Sequence, residues 1–466
     1  MLKQSRYNFF IPLKQGRALV YNSLTGAMAK WNSEDIKTYG DIRRGSSPSD
    51  SLIHQFLNGG FLVEDDRNEL QIFNQNYRMD RFNRSVMTLT ISPTMACNFG
   101  CNYCFQSKER SGKIMSSEVQ DKILDLLNRA KATIKRFHTA WYGGEPLLQF
   151  DLLKKLTHRL LDFCRANGIT YDSMLVTNGY YLTGDVAAQL TSLGINIVQV
   201  TLDGSRKDHD HRRTLLNGGA TFDTIITNLK AAVVKFKGTI NIRVNVDFRN
   251  SENISELWQQ LKEAGLAGIK NLKIYYAPIE AITEFCHNVA DVSMAKEDYG
   301  KLEAELIRQT YKEVLTGPPY PPKYRGSCAA ARPLGFVLNP DGDLFKCWDT
   351  VNKPEYKVGT IFDLDAVRDN PVYKSWLNWN PLDDETCIRC KLLPSCAGAC
   401  AYKFLHRDQT LGEAAEMPCI SWRYNINERL LLRAEIGGYI TKDDYDAAAT
   451  KTDASSLILD DHDSTL

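Results

Sequence analysis

Short apolar runs at residues 7–13, 17–22 and 27–31 open the chain, and Gly16 and the Thr25-Gly26 pair fall between them where hairpin turns would. Helical spacing follows at 33–43 and 49–57, then another strand-like run at 60–64. From about residue 85 to 315 strand-like and helix-like pieces alternate, with strands predicted at 86–92, 138–142, 173–177, 195–202, 240–247 and 272–277. A helix near Ser117 has the Ser117-x-x-Gln120 capping box and places Val119, Ile123, Leu126 and Leu127 on one face. Another begins after Asp151, and a third follows Thr221 with Phe222, Ile225, Ile226, Leu229 and Val233. Such units predict an α/β fold: a parallel sheet with crossover helices, closed as a partial (β/α)6, TIM-like barrel whose sites gather at the C-terminal strand ends.

The proline-rich stretch from Thr316 to Lys323 cannot continue a helix and marks a junction. Four regions are therefore expected: an N-terminal module at 1–84, the barrel at 85–315, a cysteine-rich domain at 316–440 and a tail at 441–466. A helix is expected near 425–436 through Ile426, Leu430 and Leu431, and the tail, rich in Ser, Thr and Asp from Thr450, is expected to be largely disordered.

Composition narrows the class. Apolar content of 43% and charged content of 24% are those of an ordinary globular protein. Lys and Arg number 57 against 56 Asp and Glu, which gives no basic excess to recruit nucleic acid or anionic lipid. No apolar run of about 18 residues suggests a membrane span, and Phe9-Phe10-Ile11 is too short for the core of a signal peptide. A cytoplasmic address is the expectation.

Twelve cysteines stand out against that background, and in a reducing compartment clustered thiols serve metals or catalysis more than disulfides. Cys164 follows Leu153, Leu156 and Leu160 at helical spacing and reads as core, whereas Cys286, between Phe285 and His287, is open between packing and a site role. Cys97, Cys101 and Cys104 share one loop directly after the first barrel strand, with Tyr103 beside the last. Three soft ligands without a fourth close by suit a [4Fe–4S] cluster with one open iron, or less well a zinc site. This spacing resembles the signature of the radical S-adenosylmethionine (SAM) enzymes, whose fold is the same partial barrel.

Later strand ends extend the resemblance. Gly143-Gly144-Glu145-Pro146 looks like the family's GGEP motif: the glycines allow close backbone approach to a ligand, and with Glu145 the motif would hold the methionine ammonium. Thr177 and Asn178 supply polar groups for ribose or carboxylate. Asp203-Gly204 leads to Asp208-His209-Asp210-His211-Arg212-Arg213, similar to a segment whose arginine pairs with the SAM carboxylate; Arg212 and Arg213 both qualify. Arg243 and Asn245 on the fifth strand are candidate cavity-lining groups.

Beyond the junction, Cys328, Cys347, Cys387, Cys390, Cys396, Cys400 and Cys419 resemble the SPASM extension of radical SAM enzymes, which carries two auxiliary [4Fe–4S] clusters. The resemblance implies Cys387, Cys390, Cys396 and Cys419 on one cluster and Cys328, Cys347 and Cys400 on the other, for three clusters in all. Seven thiols are one short for two cubes; Cys286, a carboxylate or a substrate thiol could complete the second. The rival is a zinc tetrahedron from Cys387, Cys390, Cys396 and Cys400.

The resemblance implies catalysis by Cys97, Cys101 and Cys104: an electron from a flavodoxin or ferredoxin cleaves SAM, and the 5′-deoxyadenosyl radical abstracts hydrogen from substrate. The N-terminal module resembles winged-helix domains that recognise leader peptides, pointing to a ribosomally made precursor peptide, with or without an accessory peptide-delivery protein. The product would be a thioether or carbon–carbon crosslink or a backbone rearrangement or excision. Sulfatase maturases, which form formylglycine, are the alternative, but they place an Asp directly after the equivalent of Cys347, where Trp348 stands here with Asp349 one further on. Trp348 either stacks on substrate or fills core. A non-catalytic iron–sulfur scaffold or electron carrier is the alternative of another class, and it leaves Gly143, Gly144, Asp203 and Arg213 without purpose.

Overall fold

The computed structural model describes residues 2–43, 50–106, 111–311, 315–316, 326–411 and 418–459. At the N-terminus lie β1 (Leu2–Gln4), β2 (Asn8–Pro12), β3 (Ala18–Asn22), β4 (Met28–Trp31) and β5 (Leu62–Glu64), with helices α1 (Ser33–Arg43), α2 (Asp50–Asn58) and α3 (Glu69–Arg81). Strands β2, β3 and β4 form an antiparallel meander, and β1 pairs with β5. The whole of β3 is buried because both faces of this sheet are covered. Ala18 and Val20 meet Trp31, Tyr39 and Phe56 of the module's own core. Leu19 and Tyr21 face the other way, with Phe9 and Ile11, onto Leu392, Leu430 and Leu431 near the C-terminus.

The barrel consists of β6 (Val86–Ile91), β7 (Arg136–Trp141), β8 (Thr170–Thr177), β9 (Ile195–Thr201), β10 (Thr239–Val246) and β11 (Leu272–Pro278), parallel and in sequence order. Helix α4 (Ser117–Ala130) buries Val119, Ile123, Leu126 and Leu127 on the expected face, but its cap is Ser116, whose side chain accepts from Val119 N. The helices Phe150–Ala166 and Phe222–Lys235 likewise turn Leu153, Leu156, Leu160 and Cys164, and Phe222, Ile225 and Leu229, into the core.

The sheet does not stop at the barrel. β12 (Leu315–Thr316) pairs beyond β11, while β13 (Gly335–Leu338) pairs parallel with β6 and is followed by antiparallel β14 (Asp343–Phe345) and β15 (Gly359–Thr360). The cysteine-rich region is thus joined by backbone hydrogen bonds to the strand that precedes Cys97. Most of the proline-rich junction, residues 317–325, lies outside the described residues.

The expectation of a largely disordered tail needs correcting. Ile440, Tyr445, Ala449 and Leu457 join the core shared by the N-terminal sheet and the helix Trp422–Ile436. Lys391 N donates to Leu457 O at 2.9 Å and Leu459 N to Arg389 O at 2.9 Å, so the chain to Leu459 is pinned beside Cys390. Residues 460–466 lie outside the described residues. Among the described residues no helix is long and apolar enough to cross a membrane.

Candidate functional site

Strand β6 delivers the cysteine loop to the C-terminal end of the barrel. Phe99 is fully buried and anchors the loop; Gly100 N donates to Thr214 O at 2.9 Å and Asn178 Nδ2 to Asn98 Oδ1 at 2.8 Å. Cys97, Cys101, Tyr103 and Cys104 line one cavity of about 450 Å³ with Gly143, Gly144, Thr177, Asn178 and Arg213.

The two glycines answer a packing demand. A Cβ on Gly144 would lie 2.0 Å from Ala96 O, and one on Gly143, at φ +130°, would lie 2.6 Å from Thr94 O. The turn after β7 rests directly on the cysteine loop, with Gly144 N donating to Thr94 O and Glu145 N to Ala96 O. Glu145 itself stands behind the wall, completely buried, outside the cavity lining. Its Oε1 accepts from Leu147 N at 3.0 Å and Thr177 Oγ1 at 2.8 Å, and its Oε2 from Asn178 N at 2.7 Å. Burial nevertheless pushes its carboxyl up to about 7, the three donors opposing. Pro146 is buried as the first residue of a short helix that Glu145 caps.

Polar groups from four segments meet at the cavity floor. Tyr103 OH donates to Asp203 and receives Arg213 Nη1 at 2.6 Å and Asn245 Nδ2 at 3.2 Å. Asp203 also accepts from Asn245 Nδ2 at 3.1 Å. The two adjacent arginines part here: Arg213 lines the cavity, whereas Arg212 pairs with buried Asp247 at 2.6 Å, its guanidinium over the Tyr103 ring. Arg213 Nε is buried without a hydrogen-bond partner, an orphan that an anionic ligand in the cavity would satisfy.

The far wall includes residues that the sequence pattern did not single out: Tyr142, Gln199, Tyr275 and Glu280. Tyr142 stacks near Phe105 and meets Trp348 at 4.9 Å between ring centroids. Trp348 is 39% exposed on this wall and is not core. Asp349 faces the same cavity 3.4 Å from Cys347 Sγ, and burial raises its carboxyl above the usual range, against the hydrogen bond from that thiol. Cys286 lines it too, held against Thr283. Only adjacency in the fold reveals these groups; barrel position was the one signal available, since Gln199, Arg243 and Tyr275 sit on consecutive inner strands.

The remaining thiols fall into two neighbourhoods. Cys387 lies within electrostatic reach of Cys396, Cys419 and Cys390, and Cys347 within reach of Cys400 and Cys328. Cys400 is thus within electrostatic reach of Cys328 and Cys347. Among the described residues no three His, Cys, Asp or Glu side chains close around a single metal ion. Burial pushes the Cys101, Cys390 and Cys400 thiols up to about 11, so a metal bound there would have to displace their protons. Grouped soft donors of this kind fit iron–sulfur clusters.

Comparison with known proteins agrees with this chemistry. The family model of the radical SAM superfamily matches residues 91–271. A probable GTP 3′,8-cyclase of Methanopyrus kandleri is 34% identical over 230 residues, covering 49% of this chain and 68% of that protein. A cysteine-type anaerobic sulfatase-maturating enzyme of Clostridium novyi is 23% identical over 344 residues, covering 67% and 87%. Among solved structures, native anSMEcpe with bound AdoMet superposes with a TM-score of 0.56 at 20% identity, over 76% of this chain and 97% of that one. Streptococcus suis SuiB bound to precursor peptide SuiA gives 0.51 at 15%, over 87% and 97%. At these identities the two structures bear on the fold.

Proposed function

The chain belongs to the radical SAM superfamily, and we propose that it is a peptide-modifying member acting on a ribosomally made precursor. The observation that carries this reading is the single cavity in which the three-cysteine loop opens opposite an aromatic and acidic wall of Tyr142, Trp348 and Asp349. The cyclase relative leaves half of the chain unmatched, while the sulfatase-maturating relative and SuiB extend over most of it. SuiB was crystallised with a precursor peptide, and the N-terminal sheet here leaves β4 at its edge, where an extended leader segment could add as a strand.

Cys97, Cys101 and Cys104 would hold the SAM-binding [4Fe–4S] cluster, which with SAM supplies one-electron cleavage and hydrogen abstraction. Arg213 would take the SAM carboxylate, with Tyr103, Asp203 and Asn245 fixing its guanidinium. The Gly143 and Gly144 backbone, Thr177 and Asn178 would orient the rest. Tyr142 and Trp348 shield the wall from water, and Asp349 Oδ2 can accept a proton from the substrate group that reacts. Cys387, Cys390, Cys396 and Cys419, and separately Cys328, Cys347 and Cys400, would hold two auxiliary clusters; a flavodoxin or ferredoxin would deliver electrons. Formylglycine formation is the second reading, favoured by Asp349 in the cavity and by the sulfatase-maturating relative.

Mass spectrometry decides between them. Reduced holoenzyme with SAM should convert a ribosomally made precursor peptide, a crosslink costing it two hydrogens, with equimolar 5′-deoxyadenosine. An aldehyde on a cysteine-bearing sulfatase peptide, with the precursor peptide unchanged, would favour the second reading.

A further inference from the structure

Arg243 projects from β10 into the cavity between Thr201 of β9 and Tyr275 of β11, its register partners. Its Nε donates to Asn245 Oδ1 at 2.7 Å, and Tyr275, whose own hydroxyl donates to Gln199 Oε1 at 2.6 Å, lies against it. Among the described residues no carboxylate pairs with this guanidinium; Asp349, also on the cavity lining, feels its charge without bridging to it. A guanidinium that lines the cavity without an anion has donors in a fork that matches a carboxylate.

The cavity thus presents two guanidinium groups on either side of the Tyr103–Asn245 pair, Arg213 donating to Tyr103 and Arg243 to Asn245. Tyr103 lies near both; Arg213 also has Cys101 and Asp203 around it, whereas Arg243 has Tyr275 and Tyr142. The cofactor brings one carboxylate, and Arg213, beside the cysteines, is placed to take it. Resting on the peptide-modifying reading above, we infer that Arg243 anchors a carboxylate of the substrate, either an acidic side chain or a free C-terminus of the segment delivered into the cavity. It is a specificity-determining residue: the Arg243 fork fixes the anion while Asp349, also on the cavity lining, faces a neighbouring N–H or S–H of the same segment.

The test uses the SAM-loaded holoenzyme and three blocked tripeptides under anaerobic equilibrium dialysis. One is acetyl-Ala-Glu-Ala-amide, one acetyl-Ala-Gln-Ala-amide, and one acetyl-Ala-Gln-Ala with a free carboxylate. A charge-assisted pair should make one anionic peptide bind about 10-fold tighter than the neutral one, and which one it is identifies the source of the carboxylate. Arg243→Gln should abolish the preference and Arg243→Lys retain part of it, with SAM affinity falling less than affinity for the anionic peptide in both. Equal binding of all three peptides to the unaltered protein overturns the inference even if Arg243→Gln does not fold. A preference that survives Arg243→Gln, or a loss confined to SAM affinity, overturns it equally. 5′-Deoxyadenosine release is followed in parallel: its absence sinks the enzymatic reading while leaving the carboxylate preference to be judged separately.

Discussion

Gly144 has no room for a methyl group: its Cβ would fall 2.0 Å from Ala96 O and 2.3 Å from Met95 O, both backbone atoms of the cysteine loop. Overpacking of this kind costs about 1–3 kcal/mol. Gly144→Ala should lower Tm and reduce the iron retained after anaerobic reconstitution, while Gly112→Ala, with nothing within 4 Å of its Cβ, should change neither. The motif was legible in the sequence, but the use of its glycines was not, because four residues do not reveal which backbone comes close. Glu145 shows the same limit: it read as a ligand group and is a buried joint between two strand ends. Burial raises its carboxyl from 4.5 to about 7. The folded chain therefore keeps this proton to higher pH than the unfolded chain does. That contribution to stability is complete below about pH 4.5 and lost as pH rises through about 7, on the order of 3 kcal/mol in all. The Tm of Glu145→Gln followed from pH 5 to 8 should fall less steeply than that of the unaltered protein; parallel curves would show that Glu145 does not titrate there.

At the level of elements, the six barrel strands were readable from period and spacing because each is a local apolar run bounded by helices. β13 was not. Gly335 to Leu338 is four buried residues that could lie anywhere in a core, and its partner β6 is distant in sequence. Pairing there closes an edge that would otherwise expose unpaired N–H and C=O groups. Gly335 also meets Ala329 O at 2.0 Å from where a Cβ would be. Gly335→Val should therefore unseat β13, and a chain truncated after residue 311 should aggregate on size-exclusion chromatography. A monodisperse truncated barrel would show that β6 needs no cover. The N-terminal meander was legible strand by strand, but β1 and α3 were missed: β1 has only three residues and gains its place by pairing with β5.

Across the whole molecule, the two ends of the chain hold each other. Arg6 Nη2 donates to Ile388 O at 2.8 Å, Ser23 Oγ to Lys391 O at 2.6 Å, and Arg17 pairs with Asp444 at 2.9 Å. The last described residues close over the segment that carries Cys387 and Cys390. Local composition misread this tail because its anchors, Leu457 and Leu459, belong to an apolar run of only three residues in a polar stretch, and their partners lie elsewhere. Removing residues 441–466 should loosen the thiols of the Cys387 neighbourhood first and lower the iron retained per chain after anaerobic reconstitution. Iron unchanged by that deletion would mean that the tail is only a surface strap.

The central claim is tested most directly by SAM cleavage. Protein reconstituted anaerobically and reduced with dithionite should release 5′-deoxyadenosine and methionine from SAM, and simultaneous replacement of Cys97, Cys101 and Cys104 by Ala should abolish that release while sparing iron at the other cysteines. No 5′-deoxyadenosine from fully iron-loaded protein, or an equal yield from the triple variant, would contradict the account.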